Sequence, residues 1–308
     1  MNKRKLLPFI FATMFTMSAC SSNNNQEDNK KLHIPDPTYD IPEDEEIDSS
    51  ITANDAQFDV SNVEEIEGSV LKDKKIYWLG SSVTYGASSS GQSMADFISK
   101  RSGCISVKEA VSGTTLLNDG LTDDTGKKSY VNRLKTTTLF DTKEEVDAFV
   151  CQISTNDCTS ARLSKRGEIT ADDKRELEDF NVATTLGAVE YIISYVVDTW
   201  GCPVYFYSGS YFGDGSNKYQ RQNSNPKGSD YSALVDQVKQ IAEKRNKFKF
   251  VDVKIIDMYN DEEFNELASE KYYSWAMNDP IHPKKAGYLQ WRTPYIQHFL
   301  GKDFIENY

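Results

Sequence analysis

Histidine is the scarcest chemistry in this chain: 3 among 308 residues, at His33, His282 and His298. With so few, and with neither a His-Glu-x-x-His nor a Cys-x-x-Cys spacing, a usual zinc site cannot be assembled, so no metal is expected. No glycine-rich phosphate loop occurs, and no cofactor is expected. Basic charge is also short: the formal charge is −12, which leaves no electrostatic handle on nucleic acid. No apolar run reaches the roughly 20 residues that a membrane span needs. No internal repeat is apparent.

What is present begins with a leader. Lys3, Arg4 and Lys5 precede the uncharged stretch Leu6 to Ala19, which ends in Met17-Ser18-Ala19-Cys20 and then Ser21-Ser22-Asn23. Such a segment is set aside before any reasoning about fold. Small residues ahead of a cysteine and a polar run after it resemble a bacterial lipoprotein signal. That resemblance implies cleavage before Cys20, lipidation of its thiol, and an extracytoplasmic protein anchored in a bacterial membrane. Several acyl chains on one residue give stable attachment. Ordinary secretory cleavage is the alternative.

Residues 20–70 carry two lysines against fourteen acids, whereas residues 1–19 carry three cations, so of the net −12 the remainder, 71–308, keeps only −3. The acidity therefore belongs to 20–70, where Pro35, Pro37, Pro42 and the run Glu43-Asp44-Glu45-Glu46 interrupt any apolar period. This segment is expected to be a disordered tether. Residues 71–308 are enough for one substantial core. Of five cysteines, Cys104, Cys151, Cys158 and Cys202 fall in that part; sequence cannot rank their pairings, and Cys151 reads as a small buried side chain within an apolar run.

Apolar runs and helical periods alternate from residue 75 onward. Ile76 to Leu79, Ile105 to Val111, Val146 to Ser154, Cys202 to Tyr207 and Phe248 to Ile256 read as strands. Ser93 to Arg101, Tyr130 to Leu139, Thr184 to Trp200, Tyr231 to Arg245 and a segment after Pro283 read as helices. Alternation of this kind predicts an α/β domain, a three-layer α/β/α sandwich with a mostly parallel sheet. Two long connections, 158–180 and 209–230, follow strand ends and are expected to border the site, because ligands bind beyond the carboxyl ends of such strands. Tyr207, Tyr211, Phe212, Tyr272, Tyr273 and Trp275 read either as core or as sugar-stacking surfaces.

The first strand runs into Gly80-Ser81-Ser82, an apolar stretch handing a serine to the carboxyl edge. Far downstream stands Asp279-Pro280-Ile281-His282-Pro283, in which the carboxylate can accept from one imidazole nitrogen while the other faces outward. Pro283 is expected in the first turn of the following helix. Together Gly80-Ser81-Ser82-Val83-Thr84, Gly113 in Val111-Ser-Gly-Thr-Thr115, Ser154-Thr-Asn-Asp157 and the Asp279/His282 pair resemble the four blocks of the SGNH (GDSL-type) hydrolases, in the same order. Ser81 stands where that family usually has Asp, and Ser154 where it usually has Gly.

The resemblance implies a flavodoxin-like fold and a serine esterase with Ser82 as nucleophile, His282 as base and Asp279 as its orienter. The oxyanion hole would be formed by the Ser82 amide, the Gly113 amide and Asn156. A base mechanism implies activity that rises with pH as the imidazole loses its proton. The expected substrate is an acylated small molecule or glycan, with acetyl or another short acyl group removed. Acyl transfer, lipid ester hydrolysis and catalytically silent glycan binding on the same fold are the alternatives.

Overall fold

The structure, a computed structural model, describes residues 39–118, 129–213 and 226–308. The expected leader, Cys20 at the expected lipidation position, residues 20–38 and residues 214–225 of the second long connection lie outside the described residues.

Five strands, β1 (Lys75–Gly80), β2 (Ile105–Ala110), β3 (Ala148–Gln152), β4 (Val204–Tyr207) and β5 (Val253–Ile256), form an all-parallel sheet in the order β2-β1-β3-β4-β5. Side chains alternate between its faces. Tyr77 and Leu79 of β1, Phe149 and Cys151 of β3, and Val204 and Phe206 of β4 enter one core with α3 (Tyr130–Thr136), α4 (Thr185–Trp200) and α5 (Gly228–Arg245). Ile76 and Trp78, Ala148 and Val150, and Tyr205 and Tyr207 enter the other. There they meet α2 (Met94–Ser102), α6 (Glu262–Glu266), α7 (Glu270–Ala276) and α8 (Thr293–Asn307). Two cores on opposite faces of one sheet make the three-layer α/β/α sandwich. They also explain why the central strands β1, β3 and β4 are apolar on both faces.

The chain leaves β1 to β2 on one side and returns to β3 on the other. The order therefore reverses between β1 and β3, and ligand crevices open beyond the carboxyl ends at such a point. Ser82 follows β1 and Asn156 follows β3, so both stand at that crevice.

Element boundaries differ from expectation for local reasons. β4 begins at Val204, after Pro203, which has no N–H to give to the ladder, although its carbonyl accepts from Phe149 N at 3.0 Å. β5 begins at Val253 because Phe248 to Val251 form a turn with Phe250 at φ 69°. The short helices α6 and α7, capped by Asp261 and Ser269, were not anticipated. Nor was Pro283 placed correctly: it pairs with Met277 in an antiparallel bridge, and helix begins two residues later, passing through a π-helical turn (Gly287–Arg292) into α8.

The expectation of disorder up to residue 70 does not hold for 39–70. Ile47 and Ala53 are buried, and Tyr39, Ile41, Val60 and Val63 pack against the second core. Asn54 Oδ1 accepts from Lys285 N at 3.0 Å and Ala53 O from Ala286 N at 2.9 Å, which satisfies two amides at the helix start that follows His282. Asp59 pairs with Lys285 Nζ at 2.5 Å. The segment is a strap whose apolar residues stand singly among acids, so no period betrays them.

Cys104, Cys151, Cys158 and Cys202 are free and buried. Burial pushes the Cys104 thiol up to about 11 and those of Cys158 and Cys202 to about 12. Residues 158–180 pack on α4 and α5. Arg166 reaches Gln237 at 2.8 Å, Thr170 Oγ1 donates to Glu190 at 2.6 Å, and the Lys174 carbonyl accepts from Arg245. Glu190 and Arg245 form a buried ion pair there. Among the described residues no helix is long and apolar enough to cross a membrane.

Candidate active site

Ser82 opens α1 (Ser82–Tyr85), a single helical turn launched from the end of β1. The sharp handover needs Gly80, because a Cβ there would lie 1.7 Å from Thr84 Oγ1. What fixes the turn is Gln152, the last residue of β3. Its Oε1 accepts from Ser81 N (2.9 Å), Thr84 N (3.2 Å), Thr84 Oγ1 (2.9 Å) and Ser81 Oγ (3.3 Å). Two of those donors are backbone amides, so the amide orientation of Gln152 is unambiguous. Tyr207 OH reaches Thr84 Oγ1 at 2.5 Å, and Tyr288 OH donates to Val83 O at 2.7 Å. Ser81 thus serves the turn with its amide and hydroxyl and remains fully buried.

The loop carrying Asp279 and His282 is closed at its base by the Met277–Pro283 bridge and by Asn278 N donating to His282 O at 2.9 Å. Within it, Asp279 Oδ1 accepts the amides of Ile281 (2.9 Å) and His282 (3.1 Å). Asp279 Oδ2 lies 2.8 Å from His282 Nδ1. Burial opposes the charge on Asp279, but the hydrogen bonds and field of His282 and the two amides outweigh it, and its carboxyl is held well below the usual range. An ionised Asp279 assigns the proton to Nδ1, which leaves Nε2 as an acceptor 2.7 Å from Ser82 Oγ. Ser82 and His282, 200 residues apart, are therefore in hydrogen-bond contact.

Gly113 adopts φ 80°, a left-handed conformation suited to glycine, in the loop after β2. Asn156 sits in a 3₁₀ turn (Thr155–Cys158) after β3, and its Nδ2 donates to Thr114 O at 2.9 Å, tying the two loops together. Ser154 has a structural use. Its Oγ accepts from Asn156 N at 3.1 Å and donates to Thr114 O at 3.3 Å. The fully buried Asp157 accepts the amides of Leu116 (2.8 Å) and Leu117 (3.2 Å) in the same loop. Burial pushes its carboxyl up to about 6 against the pull of those bonds. Arg133 Nη2 joins Gly80 O (2.8 Å) to Thr114 Oγ1 (3.0 Å).

Of the six aromatics expected near the site, Tyr207, Phe212, Tyr272 and Tyr273 are core side chains. A sugar-stacking role is excluded for those four by burial. Trp275 is half-buried, with its indole N–H on Ile51 O at 2.8 Å and its ring edge against Phe58, both in the strap. Tyr85, in the turn that carries Ser82, is 47% exposed and was not singled out by sequence. From the second long connection, Gly209, Ser210 and Phe212 line a small cavity behind Ser82, with Val83 and Ile281. Among the described residues, no group of three or more His, Cys, Asp or Glu side chains is arranged to hold a metal ion.

No family model matches the chain, and no curated protein is similar to it in sequence. Among solved structures, a protein from Lactobacillus plantarum superposes with a TM-score of 0.52 at 16% identity, over 77% of this chain and 99% of that one. A family two carbohydrate esterase from Clostridium thermocellum gives 0.49 at 16% identity, over 75% of this chain and 65% of that one. A carbohydrate acetylesterase from Sinorhizobium meliloti gives 0.42 at 14%, over 76% and 100%. At such identities the likeness is one of fold, and the chain shares its α/β architecture with the protein from Lactobacillus plantarum.

Proposed function

We propose that the chain is a serine carboxylester hydrolase acting through an acyl-Ser82 intermediate. The observation that carries this reading is the continuous chain from Asp279 through His282 Nδ1 and Nε2 to Ser82 Oγ, with contacts of 2.8 and 2.7 Å. His282 takes the Ser82 proton as Oγ attacks the ester carbon, and the resulting imidazolium is stabilised by Asp279. The same imidazolium then protonates the leaving alkoxide, and a water activated by His282 releases the acid. Charge on the tetrahedral oxygen is assigned to the amides of Ser82 and Gly113 and to the second Nδ2 hydrogen of Asn156.

The acyl group in this reading is acetyl or similarly short. A carbohydrate ester fits best with a protein held at the cell surface, where the proposed lipid on Cys20 would place it. Labelled fatty acid that survives delipidation and is lost in Cys20→Ala tests the anchor.

Turnover of aryl esters of graded acyl length and of acetylated sugars tests the chemistry. Acetates should be hydrolysed and long-chain esters not, and Ser82→Ala should abolish both turnover and labelling by a fluorophosphonate probe. Labelling that persists in Ser82→Ala would overturn the assignment.

A further inference from the structure

The segments that supply Ser82 and His282 are joined by a side chain that belongs to neither. Asn54, in the strap, donates from Nδ2 to Ser88 O at 2.9 Å and accepts at Oδ1 from Lys285 N at 3.0 Å. Ser88 lies in the turn that leaves α1. There Ser82 O accepts from the amides of Gly86 and Ala87, both at 3.0 Å, and Gly86 O accepts from those of Ser89 (3.1 Å) and Gly91 (2.9 Å). On the other side, Lys284 N donates to Ala276 O at 2.8 Å and Ala286 N to Ala53 O at 2.9 Å, which holds the chain just after His282. A second link runs beside the first. Gln92 Nε2 donates to Asp59 Oδ1 at 2.9 Å, Gln92 Oε1 accepts from Val60 N at 2.9 Å, and the same Asp59 oxygen pairs with Lys285 Nζ. The bonds from Lys285 and Gln92 hold the Asp59 carboxyl below its ordinary range, so it stays ionised at neutral pH. Outside the strap, Tyr288 OH on Val83 O at 2.7 Å also joins the two segments.

We propose that Asn54 is a positioning residue for the contact between Ser82 and His282, supported by the Asp59–Gln92 link; the inference rests on the esterase reading of the site. Ser82 Oγ and His282 Nε2 meet at 2.7 Å from positions 200 residues apart, so two loops must keep a fixed separation. One amide with its donor on the first loop and its acceptor on the second sets that separation, because its nitrogen and oxygen are rigidly joined. Both partners of Asn54 are backbone groups, one a donor and one an acceptor, so its amide can face only one way. Its bonds go to neighbours of Ser82 and His282 and not to the two residues themselves. Its loss should therefore act through geometry and be read in kcat rather than in KM.

Two rates measured on the full chain test it: turnover of an aryl acetate, and covalent labelling of Ser82 by a fluorophosphonate. Asn54→Leu has a similar volume and neither donor nor acceptor. Well below its Tm, where all of it is folded, it should lose about 10–10²-fold in kcat and in labelling rate, with KM within about twofold of the unsubstituted protein. Asn54→Asp keeps the acceptor for Lys285 N and should regain part of both rates, which a role in stability alone would not produce under those conditions. If the unsubstituted protein neither turns over ester nor is labelled at Ser82, the esterase reading fails and this inference with it. If it does both and Asn54→Leu matches it, the inference alone is overturned. Should Asn54→Leu not fold, Gln92→Leu, which breaks the second link, takes its place: a fall in both rates at unchanged KM is expected, and unchanged rates count against the strap.

Discussion

Replacing Gln152 with Met keeps the side-chain volume but removes the oxygen on which the turn carrying Ser82 hangs. Four donors converge on that oxygen, from Ser81 and Thr84, and both residues are fully buried. The hydroxyls can rotate: Thr84 Oγ1 still has Tyr207 OH at 2.5 Å. The amides of Ser81 and Thr84 cannot, and a buried donor left unpaired costs about 1–3 kcal/mol. Two of them set the expected loss at about 2–6 kcal/mol, read as a fall in the urea midpoint at unchanged slope. Because the turn also carries Ser82, a displacement of the order of 1 Å should lower kcat on an aryl acetate about 10²-fold while Ser82, His282 and Asp279 all remain. Gln152→Glu, which keeps an acceptor oxygen, should fall less in kcat. Full stability and full kcat in Gln152→Met would refute the idea that this side chain holds the turn.

Asn156→Ala should lower kcat by about 10²–10³, the usual cost of one oxyanion donor, with circular dichroism unchanged; an unaltered kcat would remove Asn156 from the hole. Asp157, whose folded value of about 6 lies above its unfolded value of 3.8, makes stability fall as pH rises between those values. In that window only the folded chain holds the proton, and the contribution levels off above it. Relative to Asp157→Asn, the native protein should lose about 2.4 kcal/mol between pH 4 and 7 in urea titrations. A parallel pair of pH profiles would contradict this. Glu190→Ala strands the buried Arg245 guanidinium and should cost about 3–5 kcal/mol, measured by thermal or urea unfolding; a loss below 1 kcal/mol would show that the cation finds another partner.

The sheet was legible because its central strands β1, β3 and β4 are buried on both faces and leave short, continuous apolar runs such as Ile76 to Leu79. The spacing of Asp279 and His282 was legible because their geometry is local: one tight loop, closed by the Met277–Pro283 bridge, holds both. Gln152 and Arg133 were not. Their partners lie on other elements, and a buried polar residue at a strand end reads the same in sequence whether or not it organises a site. The strap at 39–70 was hidden differently. Ile47 and Ala53 each fill a separate niche, and Asn54 caps a helix more than two hundred residues away. Ser81 and Ser154 looked like departures from a pattern and turn out to bind the loops they occupy.

The claim that Ser82 carries the acyl group during turnover is tested most directly by quenching the protein while it hydrolyses an aryl acetate and locating the acetyl group by mass spectrometry. Acetylation of Ser82, absent in Ser82→Ala and accumulating when His282 is replaced by Ala only at a greatly reduced rate, is the predicted result. Sustained ester turnover with Ser82 unmodified and replaceable by Ala would contradict it.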